Sequence, residues 1–267
     1  MINSVVRLLY FSPTGTTRRI LEAIAEGLGE DKSKHIDLTS AGARTGRRKI
    51  IRGGLTIIGV PVYTGRVALE SVRGLQRFTG KDAQAVVVVV YGNREYEDAL
   101  LELKNLVVEA GFTPIAGAVF IGEHSFSTKN NPIAHGRPDR ADLERARLFG
   151  TMVEKKLTKP GQTHGELPLK VPGNFPYRER GPARNISPET DDSICARCEK
   201  CKEACPTAAI TFIKNFVTTD TERCILCCGC VKSCPTGARR LDDLHLTQFA
   251  QKLSITCSRR KEPEFYL

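Results

Sequence analysis

Eight of the ten cysteines in this 267-residue chain fall into two copies of one pattern, and no other feature constrains the fold as strongly. The first copy runs Cys195-x2-Cys198-x2-Cys201-x3-Cys205-Pro206, and the second runs Cys224-x2-Cys227-x2-Cys230-x3-Cys234-Pro235. A zinc ribbon uses two C-x2-C pairs with a spacer. It needs neither a third cysteine at the same interval nor a Cys-Pro, and it does not repeat the whole run. Disulfides are possible on count alone, but such close steps suit a metal better in a chain that reads as lacking a signal peptide. The spacing favours iron–sulfur ligation. Thr207-Ala208-Ala209-Ile210 and Thr236-Gly237-Ala238 follow the two Cys-Pro pairs in parallel, as an internal duplication would leave them.

The segment from Asp191 to Leu241 resembles a two-cluster bacterial ferredoxin at all eight ligand positions and both prolines. That resemblance implies two [4Fe–4S] clusters whose fourth ligands cross over. Cys195, Cys198, Cys201 and Cys234 would hold one, and Cys224, Cys227, Cys230 and Cys205 the other. So short a segment buries little core, so the clusters would organise it. Ile194, Ile210, Phe212, Ile213, Phe216, Val217, Ile225 and Val231 are the expected packing around them. Many small ferredoxins are acidic. This segment instead carries Arg197, Lys200, Lys202, Lys214, Arg223, Lys232, Arg239 and Arg240, so a neutral or basic docking surface is expected. Cys228 would break the ligand interval and reads as packing near the cluster, and Cys257 as a free surface thiol.

The length allows two domains. From the start, short apolar runs alternate with helical patterns. Strands are expected at Val5–Phe11, Lys34–Leu38, Leu55–Val60, Ala85–Tyr91 and Ile115–Ile121. Helices are expected at Arg18–Leu28, Leu69–Phe78, Glu97–Ala110 and Asp139–Leu157, with a further one at Asp242–Leu253. Such alternation implies a parallel, doubly wound α/β sheet. The expected organisation is residues 1–157 as that domain, 158–190 as a Pro/Gly-rich linker or strap, 191–241 as a small α+β ferredoxin domain, and 242–267 as a helix and polar tail.

Ligands of doubly wound sheets bind beyond the carboxyl ends of the strands. There the loop Ser12-Pro13-Thr14-Gly15-Thr16-Thr17 opens the first helix, where backbone N–H groups, hydroxyls and the helix dipole suit a phosphate. No GxGxxG or GK[ST] step is present, which argues against dinucleotide and P-loop readings. The loop resembles the FMN phosphate loop of flavodoxins. That resemblance implies an isoalloxazine ring between Pro61-Val62-Tyr63-Thr64-Gly65 and Tyr91-Gly92-Asn93-Arg94-Glu95-Tyr96, with Tyr63 or Tyr96 as its aromatic face and Gly65, Gly92 and Asn93 near its polar edge. The long loop Glu123–Pro138 would cap the flavin or seat the ferredoxin. His124 is the candidate proton donor, against the plainer reading of a hydrogen-bonded histidine.

The whole chain thus resembles flavodoxin–ferredoxin fusion proteins: a flavodoxin-like five-stranded parallel sheet plus a small ferredoxin domain. The resemblance implies one FMN, two [4Fe–4S] clusters, and electron exchange with a redox partner protein. The alternatives are a flavin-dependent reductase of a small molecule fed through the ferredoxin, and a cluster-bearing module without flavin. The net charge of +10, with basic runs at Arg44–Arg52, Arg178–Arg184 and Arg259–Lys261, suggests an acidic partner. No recognition helix or RNP-type motif supports nucleic acid. No stretch is long and apolar enough to span a bilayer, and free thiolates fit a reducing cytoplasm.

Overall fold

A computed structural model describes residues 5–29, 33–159, 168–181 and 185–267. Five strands build the central sheet: β1 (Arg7–Tyr10), β2 (Lys34–Asp37), β3 (Leu55–Tyr63), β4 (Gln84–Tyr91) and β5 (Thr113–Ile121). They pair in parallel in the order β2-β1-β3-β4-β5. This is the flavodoxin-like doubly wound order, with its switch point between β1 and β3, and it bears out the expected fold class. Helices α1 (Thr16–Gly27), α2 (Leu69–Leu75), α3 (Ala99–Glu109) and α4 (Arg140–Thr158) complete the layers.

The valine run explains the layering. Side chains alternate along a strand, so a strand buried on both faces must be apolar throughout. Val87 and Val89 pack with Leu9, Phe11, Ile58, Leu100 and Leu103 on one face. Val86, Val88 and Val90 pack with Leu8, Ile57, Phe120 and Phe149 on the other. Each is at most 4% exposed, so each contributes about 1.5–3 kcal/mol of burial. On that second face α1 and α4 cross backbone to backbone: a Cβ on Gly150 would lie 2.1 Å from the Ile24 carbonyl oxygen.

The expected helix through Phe78 ends earlier, at Leu75. Phe78–Lys81 instead pairs in parallel with Lys49–Arg52 as a small second ladder. Arg44 does not join a surface basic run. Its side chain is 7% exposed, ion-pairs with Glu70 at 3.0 Å, and donates to the carbonyls of Leu38, Thr39 and Pro206.

The Pro/Gly-rich segment is a strap where it is described, at 168–181; residues 160–167 and 182–184 lie outside the described residues. Leu169 and Val171 pack on the core. Asp98 accepts from the backbone N–H groups of Asn174 (2.8 Å) and Arg178 (2.7 Å). Arg180 pairs with Glu102 at 2.9 Å, and Arg66 lies over the Tyr177 ring.

In the cysteine-rich region the duplication is visible in the backbone. Positions two and four after each first cysteine are left-handed: Arg197 and Glu199 in one run, Leu226 and Cys228 in the other. A single turn follows each, α5 (Lys200–Glu203) and α6 (Gly229–Lys232). The strand before the first run, β6 (Glu189–Thr190), pairs antiparallel with β9 (Arg239–Arg240), which follows the second. The strand after the first, β7 (Ile210–Ile213), pairs with β8 (Phe216–Thr219), which precedes the second. Of the expected packing residues, Ile210 is buried, but Ile194, Ile213 and Phe216 are 46–58% exposed. They lie on the outer side of turns and ladders too thin to have a second covered face.

The expected polar tail is also corrected. Helix α7 (Leu244–Thr256) starts later than expected, capped by Asp243, which accepts from Leu246 N at 2.8 Å. The chain then returns to the first sheet, where β10 (Glu264–Tyr266) pairs antiparallel with β5 and covers its edge.

Candidate cofactor cleft and metal centres

Ser12–Thr17 turns through Gly15 (φ +80°), whose N–H donates to Ser12 O at 3.1 Å. The turn is pinned by Ser12 N donating to Thr39 Oγ1 (2.9 Å) and Arg18 N donating to Ser12 Oγ (3.1 Å). No side chain caps α1 at its start. Thr17 is fully buried there, and its hydroxyl has no hydrogen-bond partner. A helix start with an orphaned hydroxyl is suited to an anion, because N–H groups and dipole already favour negative charge.

This loop opens onto a cleft of about 880 Å³, within the usual range for small-molecule sites. Ser12, Thr14, Thr16 and Thr17 line it. Pro61, Val62, Tyr63, Thr64 and Gly65 also line it, as do Tyr91, Gly92 and His124. Gly15 shapes the turn without lining the cleft. His124 packs on Gly92 so closely that a Cβ there would meet its Cδ2 at 2.4 Å. Its Nδ1 accepts from Phe126 N at 3.1 Å, which leaves Nε2 carrying the proton. Burial, helped by Arg94 and Lys232, lowers its pKa to about 4. His124 is therefore a neutral N–H donor at neutral pH, not an imidazolium acid.

Two expected flavin contacts are not brought to the cleft. Asn93 is 2% exposed and faces the returning tail: its Nδ2 donates to Cys257 O (2.7 Å) and Arg259 O (2.8 Å). Tyr96 is buried, and its hydroxyl donates to Glu264 Oε2 at 2.8 Å. The antiparallel tail takes both, and no local sequence signal announces it. Sequence reasoning also missed Arg44, Glu70, Arg178 and Phe249 in the lining, together with Thr207 and Cys224–Leu226 from the cysteine-rich region. These come from distant segments, and nothing in the sequence ties them to this cleft, Cys224 being announced only as a metal ligand.

Among the described residues, no three His, Cys, Asp or Glu side chains converge to hold a single metal ion. The eight cysteines instead ring two cavities. One is lined by Cys195, Cys198, Cys201 and Cys234. The other is lined by Cys205, Cys224, Cys227 and Cys230, with Cys228 beside them. The partition follows from the crossed strand pairing: β9 after the second run sits beside β6 before the first, which carries Cys234 over to the first three cysteines.

Backbone N–H groups already point at sulfur, Ala209 N to Cys205 (3.2 Å) and Arg239 N to Cys234 (3.4 Å). Burial raises the pKa of Cys201, Cys224 and Cys230 and pushes Cys227 up to about 12. At Cys234 burial also pushes upward, but hydrogen bonds from Arg239 N and Thr236 outweigh it and lower the pKa. Crowded buried thiols of this kind become thiolates when a metal binds them.

The cysteine-rich region is docked on the sheet domain. A Cβ on Gly229 would lie 2.9 Å from Pro13 O, and Lys232 reaches Glu123. Tyr63 is half-buried, and burial, then the Cys227 and Cys228 thiols, raise its phenol pKa well above the ordinary value.

Residues 217–240 match the family described as the 4Fe-4S binding domain. No curated protein matches the chain. Similar solved structures include a flavodoxin from the domain Archaea (15% identity, 58% of this chain and 100% of that one, TM-score 0.37). Another is the Fusobacterium nucleatum flavodoxin bound to flavin mononucleotide (15%, 57% and 98%, 0.38). A third is the rubredoxin oxygen:oxidoreductase of the anaerobe Desulfovibrio gigas (14%, 57% and 35%, 0.41), of which this chain spans about a third. By its strand order the N-terminal part is a flavodoxin-like doubly wound domain, and by its match the second cysteine run belongs to a 4Fe–4S binding segment, which is consistent with a flavodoxin–ferredoxin fusion.

Proposed function

We propose that the chain is an electron-transfer protein that binds FMN in the cleft and two [4Fe–4S] clusters in the cysteine cavities, and exchanges electrons with an external redox protein. When bound, the flavin supplies two-electron capacity and the clusters one-electron capacity. The observation that carries this reading is a shared wall: Thr207, Cys224 and Ile225 line both the cleft and the cavity ringed by Cys205, Cys224, Cys227 and Cys230.

Ser12, Thr14, Thr16 and Thr17 would hold the phosphate, with Thr17 Oγ1 gaining its missing partner. Tyr63 and Tyr91 would bound the ring, and the His124 Nε2–H would donate a hydrogen bond to its polar edge. The strap and the returning tail tether both ends of the cysteine-rich region to the sheet domain, which keeps the centres of one chain together. Cys198 and Lys200 are exposed on the far cavity, next to the exposed Arg197 in sequence, and we assign that face to an acidic partner. No helix among the described residues is long and apolar enough to cross a membrane.

The test is anaerobic purification with flavin, iron, sulfide and zinc analysis, alongside EPR of the dithionite-reduced protein. One FMN and two reducible [4Fe–4S] clusters per chain are expected. Zinc in place of iron, or clusters without flavin, would overturn the reading. A second reading, reduction of a small molecule, draws on the cleft's size and on the His124 N–H. Steady turnover of a quinone, nitro compound or conjugated alkene, faster than electron exchange with redox proteins, would favour it.

A further inference from the structure

The fourth cysteines, Cys205 and Cys234, are each followed five residues on by a side chain at the heart of the cysteine-rich region. In the first half that residue is Ile210, 3% exposed and packed with Cys201, Cys205 and Cys230. In the second half it is Arg239, equally buried at 3% exposure. The pseudo-symmetric partner shows that the fold accepts an apolar residue at this place. The guanidinium is therefore an addition to the scaffold, not a requirement of it.

Arg239 lines both cysteine cavities. Its Nη1 donates to Thr190 Oγ1 at 2.8 Å, and its Nη2 donates to Thr219 Oγ1 at 3.0 Å and approaches Cys230 Sγ at 3.8 Å. Its Nε has no partner. Among the described residues no carboxylate lies within ion-pairing reach of it, whereas its neighbour Arg240 is half-exposed and pairs with Asp191 and Asp242. An arginine stays charged in a protein, and burying it without an anion costs several kcal/mol. Hydroxyl dipoles do not cancel a full charge. The missing anion has to come from what the two cavities hold. Four thiolates outweigh the positive core of a [4Fe–4S] cluster, and one added electron deepens that negative charge.

We propose that Arg239 is the shared counter-ion of the two clusters, a positioning and potential-setting residue that raises the reduction potential of both. The proposal rests on the two-cluster reading above. A fixed cation in a dry site acts on both centres, because Coulomb energy falls only as distance and water does not screen it there. Its effect adds to that of the N–H···S bonds and burial that also set cluster potentials.

The experiment is an EPR-monitored redox titration of the anaerobically purified full-length holoprotein, with iron counted first in each variant. If the wild type does not contain two [4Fe–4S] clusters, the underlying reading fails rather than this proposal. Given two clusters, Arg239→Met should lower the reduction equilibrium constant of both by at least ten-fold, which is 59 mV for a one-electron couple. Arg239→Lys keeps the charge and should restore most of that loss. Arg240→Met removes a charge of the same sign on the surface and should change either constant by less than three-fold. Unchanged potentials in Arg239→Met, or a shift of one cluster alone, would overturn the proposal. If the Met variant loses its clusters while the Lys variant keeps both near wild-type potentials, the charge requirement stands. If Met and Lys variants lose them alike, the residue is structural and the proposal falls.

Discussion

Lys232 Nζ lies 2.5 Å from Glu123 Oε1 and 2.8 Å from the Ser127 carbonyl, joining the turn that carries Cys230 to the loop that carries His124. The pair is partly buried, with side chains 31% and 18% exposed. Burial pushes the Glu123 carboxyl up, but Lys232 and the Gly136 N–H outweigh it and lower its pKa. A carboxylate depressed in the folded state stabilises it above the unfolded pKa and loses that contribution as pH falls through the folded one.

Lys232→Met should therefore loosen the docking of the two halves. Charge-assisted hydrogen bonds at such sites are worth about 1.5–3 kcal/mol, so the unfolding midpoint should fall by several degrees at pH 7 and by less at pH 4. Equal losses at both pH values would show that the charge is not what matters.

His124 gives the opposite chemistry but the same sign. Its folded pKa is about 4 against an ordinary 6.5, so the unfolded chain binds the extra proton between those values. The histidine's contribution is complete above about pH 6.5 and lost as pH falls toward 4. At about 1.4 kcal/mol per unit the upper bound is about 3 kcal/mol, less for partial exposure. His124→Asn should flatten the stability profile between pH 4 and 6.5, as read by denaturant unfolding at each pH. A profile as steep as the wild type's would place the titration elsewhere.

Thr17 offers a test of the phosphate end. Thr17→Val keeps the shape and removes the unpartnered hydroxyl. FMN affinity should fall about ten-fold, as for a lost hydrogen bond to a charged group. Riboflavin, which has no phosphate, should bind both proteins equally, and fluorescence quenching measures both. Equal loss for the two ligands would show the hydroxyl acts on the fold and not on the phosphate.

The two adjacent cysteines of the second run should separate cleanly. Cys227→Ala should lose the cluster of the cavity it lines, and Cys228→Ala should keep both. Cys205→Ser and Cys224→Ala should deplete the same EPR signal, because both line one cavity. If Cys205→Ser instead depletes the signal lost in Cys195→Ala, the ligands do not cross.

Gly229 sets how closely the halves approach. A methyl group there would press on the Pro13 carbonyl at 2.9 Å, and backbone against backbone does not yield without movement. Gly229→Ala should keep its iron but raise hydrogen exchange in Ser12–Thr17. Unchanged exchange would mean that the contact carries no strain.

The alternation of strands and helices, the turn Ser12–Thr17 at the start of α1 and the two cysteine runs were legible because each is a local pattern with its own physics. Five valines in a row admit only a strand covered on both faces. A hydroxyl-rich turn before a helix suits an anion. Three-residue cysteine steps suit one metal group. What only the tertiary structure decided are partnerships between segments with no mutual signal. The tail's return to β5 turned Asn93 and Tyr96 from expected flavin contacts into tail anchors. The long-range pair β6–β9 brings Cys234 back to the first three cysteines, the division that the resemblance had implied. Arg239 read as one of eight basic surface residues, yet β9 buries it between those cavities. Side-chain type records what a residue can do within its own turn or strand. Which residue meets it from far along the chain depends on packing the whole at once, and that is where this protein's wiring is set.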